Sequence, residues 1–227
     1  MFRLARPGPL AAVAPVVAAL GLAACGGGGD ASTAASLPQD CEAVHKPPPK
    51  QVRLKPPRRR VGAGARLRAS VDTSCGRFEI ALDARRSPKT VSSFVYLARK
   101  GVYDETTFHR IVPDFVIQGG DPTGTGTGGP GYSVDEPPPP SAEYTRGTVA
   151  MAKTAVEPPG RSGSQFFVVT AADAGLEPDY AVLGKVSTGE DVVRRIASLG
   201  DPASGQAGTP LATVVIRRIT VEGTQGA

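Results

Sequence analysis

From Arg66 to the C-terminus the apolar runs are only a few residues long and are repeatedly cut by glycine or proline, so the chain must fold from many short elements. Leu67, Ala69 and Val71, and then Phe78, Ile80 and Leu82, recur every second residue on either side of Thr73-Ser74-Cys75-Gly76. That alternation predicts a hairpin with one buried face. Ser87-Pro88 offers an N-cap and a first-turn proline, and Val91, Phe94, Val95 and Ala98 follow at helical spacing until Gly101. Further strands are predicted over 107–112, 115–118, 148–152, 165–170, 181–186 and 212–221. A second helix is predicted over 189–199, with Val192, Val193, Ile196 and Leu199 on one face. Eight short strands and two helices predict a mainly β fold, an eight-stranded antiparallel closed barrel capped by two α-helices.

Upstream the composition is different. Residues 26–65 contain a glycine run and the segments KPPPK and KPPRRR, with few apolar side chains, and they read as a disordered linker unable to bury a core. As polyproline II, about 40 such residues reach roughly 100 Å. Nine Lys and Arg and no Asp or Glu fall between Lys46 and Arg68, whereas from Ala69 onward 15 Lys and Arg face 18 Asp and Glu. The formal net charge of +5 therefore belongs to the linker, and a nucleic-acid-binding fold is not implied. Its cations suit an anionic lipid surface, a solvated spacer being the plainer reading. Only two histidines, His45 and His109, are present, which excludes multi-histidine metal sites.

The first 24 residues carry Arg3 and Arg6 ahead of an apolar run over 10–24, too short for a spanning helix and interrupted by Pro15. The run ends in Leu22-Ala23-Ala24-Cys25, which resembles the bacterial lipoprotein box. The resemblance implies a cleaved signal peptide over 1–24 and a Cys25 carrying acyl chains such as palmitate. It implies anchorage in the bacterial cell envelope, on the extracytoplasmic side of the membrane. Export to an oxidising compartment permits Cys41 and Cys75 to pair, two free thiols being the alternative. Domain boundaries follow: linker over 25–65, folded domain over 66–223, tail over 224–227.

The segment Phe108-His109-Arg110-Ile111-Val112-Pro113-Asp114-Phe115-Val116-Ile117-Gln118-Gly119-Gly120-Asp121-Pro122 resembles the long signature of the cyclophilins, peptidyl-prolyl isomerases built on an eight-stranded barrel. Gly163-Ser164-Gln165-Phe166-Phe167 and Leu183-Gly184-Lys185-Val186 continue the resemblance, which spans about 67–221. It implies isomerisation of X-Pro bonds in exported or envelope proteins, with no cofactor, proline-containing polypeptides as partners and a monomeric enzyme. The alternative is a proline-peptide binding chaperone module with little catalysis. By the same resemblance Arg110 is the catalytic arginine, with Gln118 and Phe115 beside it. Val116, Phe167, Leu176, Tyr180 and Leu183 are implied in the proline pocket, and Ala152, Lys153 and Gln165 along the peptide backbone. His109 joins this set as a lesser member, because the reaction transfers no proton. Without the resemblance, Phe and Leu in strands read as core. Two departures stand out: Gly175 occupies the position where the family often has Trp, and Tyr180 that of the usual histidine. The first implies weak affinity for cyclosporin.

Gly124-Thr125-Gly126-Thr127-Gly128-Gly129 satisfies GxGxxG, but Pro130-Gly131 follows where a phosphate-binding helix would have to start, so no dinucleotide site is expected.

Overall fold

The computed structural model describes residues 37–224; the leader, Cys25 and the remainder of 1–36, and residues 225–227, lie outside the described residues. The predicted hairpin is β1 (Arg66–Thr73) and β2 (Gly76–Leu82), in register from Leu67 opposite Leu82 to Thr73 opposite Gly76. Its alternating side chains, Leu67, Ala69, Val71, Phe78, Ile80 and Leu82, are all buried. Helix α1 (Pro88–Arg99) follows, with Val91, Phe94, Val95 and Ala98 buried along its inner face. Ser87 stands at its N-cap without making a side-chain cap. The carboxylate of Glu136 caps it instead, accepting from the backbone N–H groups of Lys89 at 3.0 Å and Thr90 at 2.7 Å.

The remaining elements are β3 (Thr106–Thr107), β4 (Arg110–Val112), β5 (Val116–Gly119), β6 (Val134–Asp135), β7 (Thr148–Met151), β8 (Arg161–Ser162), β9 (Phe166–Val169), β10 (Val182–Thr188), α2 (Glu190–Ala197) and β11 (Val215–Thr224). A 3-10 segment, Pro202–Ala207, precedes the last strand. The main sheet runs β3-β11-β1-β2-β10-β7-β9-β5-β4, every pairing antiparallel, and β6 with β8 forms a separate ribbon. The expected closed eight-stranded barrel is corrected to a curled nine-stranded sheet with two ladder ends. The reason is local. The stretch expected as one strand over 107–112 breaks at Phe108 and His109, so that β3 pairs with β11 while β4 pairs with β5. The two ladder ends are thus consecutive in the chain. Inside the curl, Phe94, Tyr103 and Phe108 each meet Phe166 edge-on or nearly so, with ring centroids 5.9 to 6.2 Å apart.

Residues 37–65 depart from the expected disordered linker. They have no helix or strand, yet they lie along the domain as an extended strap. Val61 is buried in the main core, and Leu37, Val52 and Leu54 pack against it. Backbone N–H groups of Glu42, Lys50 and Leu54 each donate at 2.8 Å to the carbonyls of Ser74, Pro122 and Pro130, and Val61 N–H donates to Ser92 Oγ at 2.9 Å. The Lys50 ammonium donates to the carbonyls of Gly101, Val102 and Asp104 in the turn that follows α1. Burial lowers its pKa against the pull of Asp104 and Glu105. A segment too polar to form its own core has therefore borrowed the domain's.

A disulfide joins Cys41 to Cys75, 34 residues apart, and fixes the start of the strap to the β1–β2 turn. On the chain-entropy argument such a loop contributes about 3 to 4 kcal/mol. Cys41→Ser should lower the unfolding free energy by about that amount in a urea titration without altering the final strand signal in circular dichroism; an unchanged midpoint would show that the strap's other contacts suffice.

Candidate active site

The pleat of β5 sorts its residues between two faces. Ile117 points into the main core, while Val116 belongs to a second apolar cluster on the outer surface, with Tyr144, Ala150, Phe167 and Val169. Register places Arg110 opposite Gln118, and Gln118 opposite Phe167. Phe115, Ala152, Leu176 and Tyr180 border the outer cluster. Nine of the sequence-predicted residues thus meet along one surface groove: Arg110, Phe115, Val116, Gln118, Ala152, Gln165, Phe167, Leu176 and Tyr180.

A chain of hydrogen bonds sets the polar side of this groove. Arg110 Nη1 donates to Gln118 Oε1 at 3.3 Å, Gln118 Nε2 donates to Gln165 Oε1 at 3.0 Å, and Gln165 Nε2 donates to the carbonyls of Gly126 and Gly128, both at 2.9 Å. The far side of the guanidinium is held by Gln206, whose backbone carbonyl accepts from Nε at 3.0 Å and whose Oε1 accepts from Nη2 at 3.2 Å. The guanidinium carbon also stands 5.9 Å from the centroid of the Phe115 ring. Burial lowers the Arg110 pKa, although an arginine remains cationic at neutral pH.

The apolar side is an aromatic corner. Tyr180 meets Phe167 edge-on at 5.4 Å and Tyr144 at 5.9 Å. The Tyr144 hydroxyl donates to the Tyr180 carbonyl at 2.6 Å and accepts from the Tyr180 N–H at 2.9 Å, which fixes that backbone. Burial raises the Tyr144 pKa, keeping the hydroxyl a donor. Lys153 lies alongside with its side chain only 4% exposed, its ammonium 3.0 Å from Asp179 Oδ2 and 5.5 Å from the Tyr180 ring centroid. The resemblance implies a place for Lys153 along the peptide backbone; its side chain is taken up by Asp179 beside Tyr180. Gly175, where Trp is common, has φ +60 and nothing within 4 Å of a Cβ built there, so this rim is open.

Two expected groove residues lie elsewhere. Leu183 is fully buried in the main core, on the inward face of β10, and cannot touch a peptide. Leu176, seven residues earlier, borders the outer cluster instead. His109 turns away from Arg110, as neighbours on extended chain do, and its ring packs against Gly126. Neither ring nitrogen makes a hydrogen bond of good geometry among the described residues. Tyr144 and Gln206 were not anticipated. Nothing in the sequence around Gln206 sets it apart, whereas Tyr144 is an aromatic in a proline-rich loop and could have been suspected of packing.

The glycine loop contains an anion already. Asp121 is buried, and its carboxylate accepts from the N–H groups of Thr123 at 2.7 Å, Thr125 at 3.1 Å, Gly126 at 2.6 Å and Gly128 at 3.1 Å. Burial works against ionisation, but these bonds outweigh it and hold the pKa below the usual carboxylate value. The donors that might have cradled a phosphate are spent on Asp121.

Residues 68–221 match the family described as cyclophilin type peptidyl-prolyl cis-trans isomerase/CLD. Peptidyl-prolyl cis-trans isomerase B of Streptomyces anulatus is 39% identical over 174 residues, covering 69% of this chain and 97% of that protein. Peptidyl-prolyl cis-trans isomerase-like 1 of Neurospora crassa is 36% identical over 157 residues, covering 67% and 94%. A crystal structure of a Cryptosporidium parvum cyclophilin type peptidyl-prolyl cis-trans isomerase, determined in the presence of the dipeptide Ala-Pro, superposes with a TM-score of 0.62 at 30% identity, covering 69% of this chain and 99% of that one.

His109 generates a pH prediction. Burial lowers its pKa, with Asp121 and the Thr107 backbone opposing and Arg110 and Lys46 reinforcing the shift. The unfolded chain takes up the proton first, at its ordinary value of about 6.5, so stability is complete above that pH and declines as the pH falls towards the lowered folded value. Urea midpoints measured between about pH 7 and pH 5 should fall more steeply for the wild type than for His109→Phe; parallel slopes would mean the ring protonates in place.

Proposed function

From the premise that this chain belongs to the cyclophilin type peptidyl-prolyl cis-trans isomerase family, we propose that Arg110 catalyses its reaction within the groove formed by β4, β5 and β9. The protein is a peptidyl-prolyl cis-trans isomerase, and what remains is how these residues perform that activity. The barrier is amide resonance, about 18 to 20 kcal/mol, and no bond is made or broken in crossing it. In the twisted transition state the prolyl nitrogen regains its lone pair and becomes a hydrogen-bond acceptor, which it is not in the planar amide. A donor aimed at that nitrogen therefore stabilises the transition state more than the ground state.

Arg110 fits that requirement because its orientation is fixed before substrate arrives. Gln118 and Gln206 hold it from two sides, so little reorganisation is needed during the turn. Val116, Phe115, Phe167, Leu176 and Tyr180 grip the pyrrolidine ring, while Gln165 and the Ala152 main chain align the flanking peptide. With the ring held, the residue before proline is the part that swings. The observation that carries this assignment is the pairing of a partly desolvated, doubly braced guanidinium with the apolar aromatic corner of Phe115, Phe167 and Tyr180.

The reading extends to location. Cys25, at the end of Leu22-Ala23-Ala24-Cys25, is the acylation site of an exported lipoprotein acting on envelope clients. A disulfide between Cys41 and Cys75 suits an oxidising compartment. Because the strap is docked from Leu37 onward, the roughly 100 Å reach expected of a free linker over 26–65 does not hold for its described part. The exposed Arg58, Arg59 and Arg60 suit an anionic lipid surface.

Arg110→Ala should lower kcat/KM for a proline peptide about 100-fold, equivalent to about 2.7 kcal/mol of transition-state stabilisation, with the melting temperature nearly unchanged. NMR exchange spectroscopy measures the rate, and an unaffected variant would remove Arg110 from the mechanism. In a bacterial host the wild type should partition with membranes and carry the added acyl mass at Cys25, both lost in Cys25→Ser; a wild type recovered unmodified from the soluble fraction would refute the anchor.

A further inference from the structure

We propose that the strap forms one wall of the substrate groove and that Arg53 selects peptides bearing an acidic side chain near the proline. The inference rests on the groove assignment above, and adds to it a segment outside the matched family region of 68–221.

A cavity of about 740 Å³ adjoins the catalytic groove and shares Gln118, Gln165 and Ala152 with it. Gln51, Val52 and Arg53 of the strap also line it. This wall is built rather than draped. Leu54 N–H donates to the Pro130 carbonyl and Lys50 N–H to the Pro122 carbonyl, so the strap is clamped at both ends of the glycine loop. Gly131 has φ +87, and a Cβ there would stand 3.2 Å from Arg53 Cα and 3.5 Å from Leu54 N. The loop therefore carries glycine where the strap backbone crosses it. The burial pattern of the strap alternates over 50–54: Lys50, Val52 and Leu54 are turned inward, and Gln51 and Arg53 are exposed.

Charge decides what this wall can recognise. Lys153 is bound to Asp179, and the Glu157 carboxylate accepts from both the N–H and the hydroxyl of Thr154. Arg53 is exposed, lines the cavity, and has no side-chain hydrogen bond or ion pair among the described residues. A peptide whose proline ring sits against Phe167 and whose backbone follows Gln165 carries its neighbouring residues into this cavity. An Asp or Glu there meets an unsatisfied guanidinium, whose planar fork can donate two hydrogen bonds to its carboxylate.

The test uses the full chain and proline peptides identical except for Glu, Gln or Lys at each of the three positions on either side of the proline. Dissociation constants and catalysed exchange rates are read from the same NMR titrations. At one of these positions the Glu peptide should bind about two- to fivefold more tightly than the Gln peptide, as expected of a partly exposed ion pair. Arg53→Lys should retain most of that preference, Arg53→Glu should reverse it, and 0.5 M salt should largely remove it. Arg53 being exposed, both variants should melt with the wild type. Equal Glu-to-Gln ratios in the wild type and Arg53→Glu would overturn the inference, as would the absence of a charge preference at every position. Charge-selective binding without any acceleration of exchange would support the inference and overturn the catalytic reading instead.

Discussion

Because successive side chains of a strand must point to opposite faces, the four residues of β5 serve two environments at once. Ile117 fills the interior of the curled sheet, while Val116 and Gln118, its immediate neighbours, face the groove. The same division continues onto β9, where Val168 joins the core and Phe167 the outer cluster, and onto β4, where Ile111 is buried beside Arg110. A shift of one residue in either pairing would bury Gln118 and expose Ile117, a double penalty that fixes the register. Core packing thereby sets the position of the groove to within a side-chain rotamer. The groove requires no scaffold of its own.

What the sheet does not fix, loops must, and they do so through backbone polarity. Asp121 collects the N–H groups of the glycine loop, Gln165 takes two of its carbonyls, and the strap takes the carbonyls at Pro122 and Pro130. A loop this rich in glycine has a large conformational entropy to lose. Distributing its hydrogen bonds among a buried carboxylate, a catalytic-site glutamine and the strap offsets that loss from three directions. Movement of the strap, the loop and the Arg110–Gln118–Gln165 chain should accordingly be coupled, since Gln165 belongs to two of the three.

The parts of this arrangement that sequence made legible are those governed by period or by a dense motif. The β1–β2 hairpin follows from alternation alone, and Arg110, Phe115, Val116 and Gln118 lie within one continuous signature whose pleat brings them together. Leu183 was misplaced because a leucine on a strand looks alike on either face, and only the register of β10 shows that it points inward. The strap was misread because proline and arginine dominate its composition. Its alternation over Lys50-Gln51-Val52-Arg53-Leu54 was nevertheless visible, and is the one signal there of a docked extended segment. Gln206 carried no signal: its role depends on a turn that brings Gly208 against Arg110, and tertiary geometry of that kind has no local period.

Lys153 and Tyr180 together set the electrostatics at this end of the groove. A lysine beside the pocket introduces a second cation near Arg110, which by itself would compete for the same electron-rich atoms. Asp179 compensates that charge at 3.0 Å, and the ammonium stands 5.5 Å from the Tyr180 ring centroid. The compensated pair is nearly dipolar, and its field falls off faster with distance than that of a lone charge. Arg110 is left as the uncompensated cation of the proline pocket, hydrogen-bonded only to neutral partners and partly shielded from water. In such surroundings a hydrogen bond to a nitrogen that is gaining its lone pair strengthens more than it would in bulk solvent. Lys153 and Tyr180 therefore belong to one arrangement, the ring bordering the apolar corner and the lysine, neutralised by Asp179, lying beside it.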